Sequence, residues 1–185
     1  MKVLKINKYK DSVVREAVKA VINGQVLICP TDTVYGLITD ATNKKAVNRI
    51  FIIKKREKGK PLPVFVKDLK MAKEIAEINK EQEKFLRACW PGAVTVILKA
   101  KKGKTIGLRI PDYKLILKII GLAKKPLTGT SANLSGLLAS GKIREVLKQF
   151  KEEQPDLVLD AGNLKPAKPS TVIDLTVLPP KVLRN

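Results

Sequence analysis

The 185-residue sequence predicts an α/β (α+β) fold: a twisted mixed sheet of parallel and antiparallel strands flanked by helices, in one domain over residues 1–185. Three observations predict it. Strand and helix signals alternate nearly throughout, which is the pattern of helices laid against a mixed sheet. Hydrophobic residues make up 44% of the chain, an ordinary globular share that excludes disorder as the class. A core of this size buries about 70% of the unfolded surface without a disulfide or metal staple.

The elements follow from local pattern. Val3 to Ile6 is a short first strand. Asp11 or Ser12 caps a helix whose apolar stripe is Val13, Val14, Ala17, Val18, Val21 and Ile22, ended by Gly24. Gln25 to Cys29 is a buried strand that runs into Pro30-Thr31-Asp32-Thr33, and Tyr35 to Ile38 is extended again. Asn43 opens a helix with Ala46, Val47, Ile50 and Phe51 inward, and a basic run from Lys54 to Lys60 follows it. Leu62 to Val66 is a strand despite Pro63. Asp68 and Asn79 cap two short helices. Ala93 to Leu98 and Thr105 to Ile110 form a hairpin about Lys101-Lys102-Gly103-Lys104. Asp112 begins a helix through Leu115, Leu117, Ile119 and Ile120 that Gly121 stops. Leu127 to Thr130 is a strand, Ile143 to Phe150 a helix, Leu157 to Leu159 and Thr171 to Leu175 are strands, and Val182-Leu183 is a last edge strand.

Composition narrows the chemistry. Lys and Arg number 37 against 17 Asp and Glu, a net charge of +20. A field of that sign attracts polyanions such as nucleic acid, nucleotides or an anionic membrane. A lysine-rich surface of thermophilic type accounts for the same count. The chain has no histidine, which excludes histidine-based acid–base work, Ser-His-Asp triads and most zinc sites. Cys29 and Cys89 lie far apart in apolar surroundings, as small buried hydrophobes of a reducing compartment. The N-terminus carries no signal-peptide pattern, and no apolar run approaches the ~18 residues of a membrane span. A cytoplasmic protein is the expectation.

Polar residues gather where strands should simply turn. Pro30-Thr31-Asp32-Thr33 offers two hydroxyls and a carboxylate at a strand end, suited to a small polar ligand or to a self-satisfied turn. Lys54-x-Arg56 with Lys58 and Lys60 is either a solvated charge run or a phosphate clamp, with Arg56 as the bidentate fork. Thr128-Gly129-Thr130-Ser131-Ala132-Asn133 puts a glycine before small hydroxyl residues, where exposed N–H groups can form an anion nest. It is not a P-loop, since no Gly-Lys-Ser/Thr follows. Arg109 stands inside an otherwise apolar strand and needs a partner, either Asp32 or a ligand carboxylate. Ser170 and Thr171 add hydroxyls at the start of a strand.

In this order the segments resemble the YrdC/Sua5 family of threonylcarbamoyl-AMP synthases. The resemblance runs from Pro30-Thr31-Asp32-Thr33-Val34-Tyr35-Gly36-Leu37 through Lys54-x-Arg56, Lys60-Pro61, Trp90-Pro91-Gly92, Gly107-Leu108-Arg109-Ile110-Pro111 and Thr130-Ser131-Ala132-Asn133-Leu134-Ser135-Gly136 to Ser170-Thr171-Val172-Ile173-Asp174. It implies a YrdC-like sheet with a wide basic cleft. The activity it implies forms threonylcarbamoyl-AMP and pyrophosphate from L-threonine, bicarbonate and ATP, for the threonylcarbamoyladenosine modification of tRNAs that read ANN codons. The product passes to a tRNA threonylcarbamoyl-transferase complex, and direct contact with tRNA or double-stranded RNA belongs to the same expectation.

By motif, the resemblance gives threonine to Thr33, Arg109 and Ser170 with the Gly129 backbone. It gives ATP to Arg56, Lys60, Thr105, Ser131, Ala139 and Arg184. Lys54 and Arg56 would offset charge growing on the phosphates as pyrophosphate leaves. Magnesium would arrive bound to substrate phosphates, with no dedicated protein metal site. Two positions depart from the family pattern. Phe65 stands where many relatives have histidine, and Leu137-Leu138-Ala139-Ser140-Gly141 replaces a Lys-Pro-Ser-Pro-Thr stretch. The alternative from another class is a non-catalytic RNA-binding module using the same cleft, although aromatics at 4% make a poor stacking platform.

Overall fold

The computed structural model describes residues 1–6, 11–57, 59 and 61–185. In chain order the elements are β1 (Lys2–Lys5), α1 (Asp11–Ile22), β2 (Leu27–Cys29), β3 (Gly36–Ile38), α2 (Lys44–Ile53), β4 (Val64–Phe65), α3 (Leu69–Ile75), α4 (Lys80–Cys89) and β5 (Val94–Lys99). There follow β6 (Thr105–Arg109), α5 (Lys114–Ala123), β7 (Leu127–Thr128), β8 (Thr130–Ser131), α6 (Ile143–Gln149), β9 (Leu157–Asp160), β10 (Thr171–Asp174) and β11 (Lys181–Arg184).

Side-chain capping sets several boundaries. Asn43 accepts from the N–H groups of Lys45 and Ala46 at the head of α2. Asp68 accepts from Met71 N at α3, and Asn79 with Gln82 forms a reciprocal capping box at α4. Two expected boundaries are corrected. Asp112 does not cap α5; its backbone N–H donates to Asp32 Oδ2 at 3.0 Å, and α5 starts after Tyr113. Gly121 does not stop that helix, which runs on to Ala123 and ends at Lys124 in the left-handed conformation. Ile22, placed in the α1 stripe by spacing, is exposed at the end of the helix, while Val13, Val14, Ala17, Ala20 and Val21 are buried.

The strands form two mixed sheets rather than the one expected. The first has the order β1-β9-β2-β3-β8 and the second β11-β10-β5-β6-β4-β7. Leu27, Cys29 and Ile38 face α1 and α5 on one side of the first sheet, whereas Ile28, Leu37 and Val158 face α2 and α6 on the other. This two-sided burial explains the unbroken apolar run of β2. Val96, Leu98 and Leu108 of the second sheet pack on Leu86, Ala72 and Ala76 of α4 and the end of α3.

The sheets diverge at one glycine. Thr128 N donates to Thr39 O at 2.9 Å, and Thr39 N donates to Thr128 Oγ1 at 3.0 Å, so β7 is stitched to the end of β3. At Gly129 the chain leaves the second sheet, where β7 pairs with β4, and enters the first, where β8 pairs with β3. A single strand through Leu127 to Thr130 is therefore split in two. At this crossing the Phe65 ring fills the space over the Gly129 α-carbon: a Cβ there would lie 2.5 Å from its nearest carbon.

Candidate active site

A cavity of about 200 Å³ opens where the two sheets meet. The loop after β2 supplies Thr31 and Thr33, the ends of β4 and β6 supply Phe65 and Arg109, and the crossing at Gly129 supplies Thr130 and Ser131. Arg56 follows α2, Ser170 precedes β10 and Arg184 ends β11. Thr33, Arg56, Arg109, Gly129, Ser131, Ser170 and Arg184, separated by up to most of the chain, thus line one space.

Arg109 is held from three sides. Its Nε donates to Gly92 O at 2.8 Å and its Nη2 to Asp32 Oδ1 at 2.7 Å, with the side chains 4% and 12% exposed. The Phe65 ring lies 5.8 Å from the guanidinium carbon. Burial pulls the guanidinium below its ordinary pKa; the Asp32 carboxylate opposes this, and the nearby positive Arg184 adds to it. Of the two partners left open by the sequence, Asp32 is the one in contact. Asp32 takes one N–H, and Nη1, with the second N–H of Nη2, remains for a ligand carboxylate.

Proton accounting gives the hydroxyls directions. Thr31 Oγ1 donates its one proton to Val34 O at 2.7 Å and accepts from Thr33 N at 3.0 Å. The 3.0 Å contact between the Thr31 and Thr33 hydroxyls must then be donated by Thr33, so Thr33 Oγ1 presents lone pairs to the cavity. The turn is self-satisfied and also forms the wall of a site. Ser170 Oγ accepts from Arg184 Nη2 at 3.2 Å and lies 2.9 Å from Thr95 Oγ1, while Arg184 Nε and Nη2 both grip Ser170 O. Thr95, which sequence reading missed, is 3% exposed. Its signal was a hydroxyl inside Val94-Thr95-Val96-Ile97-Leu98.

The basic segment divides its labour. Lys54 is 2% exposed, and its ammonium donates to Ser131 O at 2.6 Å, Asn133 O at 2.7 Å and Asn133 Oδ1 at 3.3 Å. Burial, and secondarily the charge of Arg56, lowers its pKa to about 8. Lys54 is therefore not a free phosphate clamp, which corrects the expectation, because all three of its N–H groups hold the 131–133 loop. Arg56 is the group left open: among the described residues its Nη2 reaches Pro61 O at 3.3 Å, and its Nε is buried without a hydrogen-bond partner. Ser131 Oγ donates to Asn133 Oδ1 at 2.6 Å and so also turns lone pairs outward.

Other expected residues stand elsewhere. Thr105 is exposed at the outer end of β6 and lines a separate groove of about 850 Å³ with Phe85, Leu175 and Leu178; strand length carries it away from Arg109. Ala139 does not line the cavity; its loop is bound to α6 through Ser140 and Glu145. Lys58 and Lys60 lie outside the described residues. No anion nest forms at Gly129, because its N–H donates to Pro63 O at 2.7 Å and those of Ala132 and Asn133 are also bonded. The 850 Å³ groove is larger, but no arginine lines it, and its charged residues Glu77, Glu81, Lys99 and Lys104 are of both signs, with Lys99 and Glu77 paired at 3.0 Å. The smaller cavity is where the chemistry lies.

Among the described residues no three His, Cys, Asp or Glu side chains converge as a metal cluster. No helix among them is long and apolar enough to cross a membrane. The arrangement can hold a multiply charged anion against three guanidiniums, with hydroxyl acceptors beside it for an amine or hydroxyl.

A family model for Sua5, YciO and YrdC, described as telomere recombination, matches residues 19–185. A protein of Methanocaldococcus jannaschii is 37% identical over 183 residues, 95% of this chain and 86% of that one. The threonylcarbamoyl-AMP synthase of Pyrococcus abyssi is 32% identical over 181 residues, 92% of this chain but 53% of its own length. The crystal structure of P. abyssi Sua5 complexed with L-threonine superposes with a TM-score of 0.93 at 30% identity, over all of this chain and 57% of that one. The chain thus spans little more than half of the Pyrococcus protein and most of the Methanocaldococcus one.

Proposed function

The chain belongs to the Sua5/YciO/YrdC family, and on that premise we propose that it is an L-threonylcarbamoyladenylate synthase, a nucleotidyltransferase acting on L-threonine, bicarbonate and ATP. The observation that carries this reading is the trio Arg56, Arg109 and Arg184 around one hydroxyl-rich cavity with no carboxylate among its described lining residues, Asp32 behind it being bound to Arg109.

In this mechanism the open edge of the Arg109 guanidinium takes the carboxylate of threonine. Thr33 Oγ1, with lone pairs inward, accepts from the amine, and Ser170 Oγ meets the substrate on the opposite side. The amine adds to bicarbonate with loss of water, giving a carbamate. A carbamate oxygen then attacks the α-phosphorus, the bond to the bridging oxygen breaks, and pyrophosphate leaves with that electron pair. Arg56, whose Nε lacks an acceptor, meets the phosphates; Lys54 acts through the loop it holds, and Arg184 keeps Nη1 for the nucleotide. Lys60 joins Arg56 by motif alone. Positioning and fixed charge supply the rate, so a chain without histidine suffices.

Magnesium fits as a passenger of ATP. The oxygens available here are neutral ones such as Ser131 Oγ, which suits an ion that keeps its waters and substrate phosphates. When bound, it neutralises phosphate charge. The product, a mixed anhydride prone to hydrolysis, would pass in the cytoplasm to the transferase that modifies tRNA.

The test is pyrophosphate release from ATP with threonine and bicarbonate each omitted in turn. The expected result is release that needs both. Release indifferent to threonine, together with salt-dependent RNA binding, would overturn the reading in favour of an RNA-binding module.

A further inference from the structure

The groove of about 850 Å³ outside the cavity is built from three segments: the start of α4 with Glu81 and Phe85, the β5–β6 hairpin with Lys99 and Lys104, and the 175–180 loop between β10 and β11. Its walls are braced. Glu77 N donates to Lys99 O and Lys101 N to Ile75 O, both at 2.9 Å, which ties the hairpin to the end of α3. Gln82 Nε2 donates to Leu175 O at 3.0 Å, and Thr176 donates through its N and Oγ1 to Asp174 Oδ1 at 2.8 and 2.6 Å. The shape is therefore set before anything binds, which lowers the cost of ordering it.

The lining includes Phe85, Leu175, Val177, Leu178 and Pro180, and Leu178 among them is 89% exposed. A lone exposed leucine is ordinary on a protein surface, but one that stands beside an apolar groove is a knob next to a hole. A knob and a hole on one patch fit a second copy of that patch across a twofold axis, a contact that closes on itself.

Charge points to the same occupant. At +20, most of the surface repels another copy of the chain. Around the groove that repulsion is cancelled. Of the 17 acidic residues, Glu74, Glu77, Glu81 and Glu83 fall between positions 74 and 83 on the α3–α4 side, while Lys99, Lys101, Lys102 and Lys104 stand on the hairpin side. Glu77 and Lys99 pair with each other at 3.0 Å. Glu81 and Lys104 are exposed and have no ion-pair partner among the described residues. A wholly acidic or wholly basic partner would match one side of the rim and be repelled by the other.

We propose that this groove is a self-association surface, on which a second copy of the chain docks about a twofold axis. Leu178 of each copy enters the groove of the other, and Glu81 of each meets Lys104 of the other. The association is independent of the cavity and its chemistry.

Sedimentation velocity of the full chain at about 1–100 μM should show a monomer–dimer equilibrium, as a modest interface gives. Leu178→Ser should raise the dimer dissociation constant about tenfold or more, the effect of one leucine side chain returned to water. Because Leu178 is exposed in the single chain, that variant should keep the wild-type urea midpoint when monomeric. Glu81→Lys and Lys104→Glu should each weaken association, since a reversed charge then meets its like. The Glu81→Lys/Lys104→Glu double variant should recover it, and an equal mixture of the two single variants should form the mixed dimer in preference to either homodimer. A chain that stays monomeric throughout this range would overturn the proposal and leave the groove to a different protein. A dimer indifferent to Leu178→Ser, or charge reversals that fail to rescue one another, would overturn it too, because association would then run through another face.

Discussion

Replacing Lys54 by methionine separates holding a loop from neutralising phosphate. The substitution keeps the volume of the stem and removes the ammonium that binds Ser131 O, Asn133 O and Asn133 Oδ1. Two opposed terms decide stability. A fall from 10.5 to about 8 in the Lys54 pKa means that holding the charge in this buried place costs about 3 kcal/mol relative to water, which methionine relieves. Against that, the two carbonyls bonded at 2.6 and 2.7 Å lose their partner, at about 1–3 kcal/mol each. The net expectation is a change between about 1 kcal/mol of stabilisation and about 3 kcal/mol of destabilisation, read as a small shift or a fall of the urea midpoint with an unchanged slope. Turnover has no such offset. With the loop released and a cation beside Arg56 removed, kcat/KM for ATP should fall about a hundredfold or more. A folded Lys54→Met protein with wild-type kcat/KM for ATP would refute the reasoning, as would a loss of stability well beyond 3 kcal/mol.

Arg56→Ala should reduce kcat about a thousandfold with less than about 1 kcal/mol change in stability, because that side chain makes one long hydrogen bond and leaves Nε unpaired; a large drop in urea midpoint would instead reveal a structural ion pair. Asp32→Ala breaks a pair whose side chains are 4% and 12% exposed, so destabilisation of about 3–5 kcal/mol is expected together with a raised threonine KM. An unchanged KM in the folded fraction of that variant would show that Asp32 does not orient Arg109. Stability and activity should also respond oppositely to alkali. Below pH 8 Lys54 is protonated in both folded and unfolded chains; between about 8 and 10.5 the unfolded chain binds more protons, so this group adds stability as pH rises. Urea midpoints at pH 7.5 and 9.5, compared between wild type and Lys54→Met, isolate the contribution. Turnover should decline through the same window as the ammonium is lost.

Elements governed by local chemistry were legible in the sequence. Asn43, Asp68 and Asn79 cap the helices they were expected to cap, and the β5–β6 hairpin turns at the Lys-Gly-Lys segment. Boundaries governed by tertiary contact were not. The Asp112 backbone is tied to Asp32, a residue 80 positions away, just before α5 begins, and Gly121 stays helical because packing of Ile119, Ile120 and Ala123 outweighs its propensity. In the site, residue types were legible and their allegiances were not. Motif order brought Thr33, Arg109 and Ser170 together, yet the adjacent cations Lys54 and Arg56 differ in role by a turn of geometry. Lys54 follows Ile50 at helical i+4 spacing, which carries it onto the buried face, a signal present in the chain.

The position that most rewards this distinction is Gly129. Its sequence context suggested a loop whose bare backbone approaches a ligand. The structure uses the bare backbone for something else: it lets an aromatic ring approach at the point where the chain passes from one sheet to the other. The cavity lies at that crossing. Arg109 and Phe65 come from strands of one sheet, and Ser131 with the Thr31–Thr33 loop from the other. A side chain at residue 129 would therefore act on core packing and on the cavity wall together, through a single displaced ring. The destabilisations of Phe65→Ala and Gly129→Ala, read as urea midpoints, should accordingly sum to more than that of the double variant; two independent lesions would add instead.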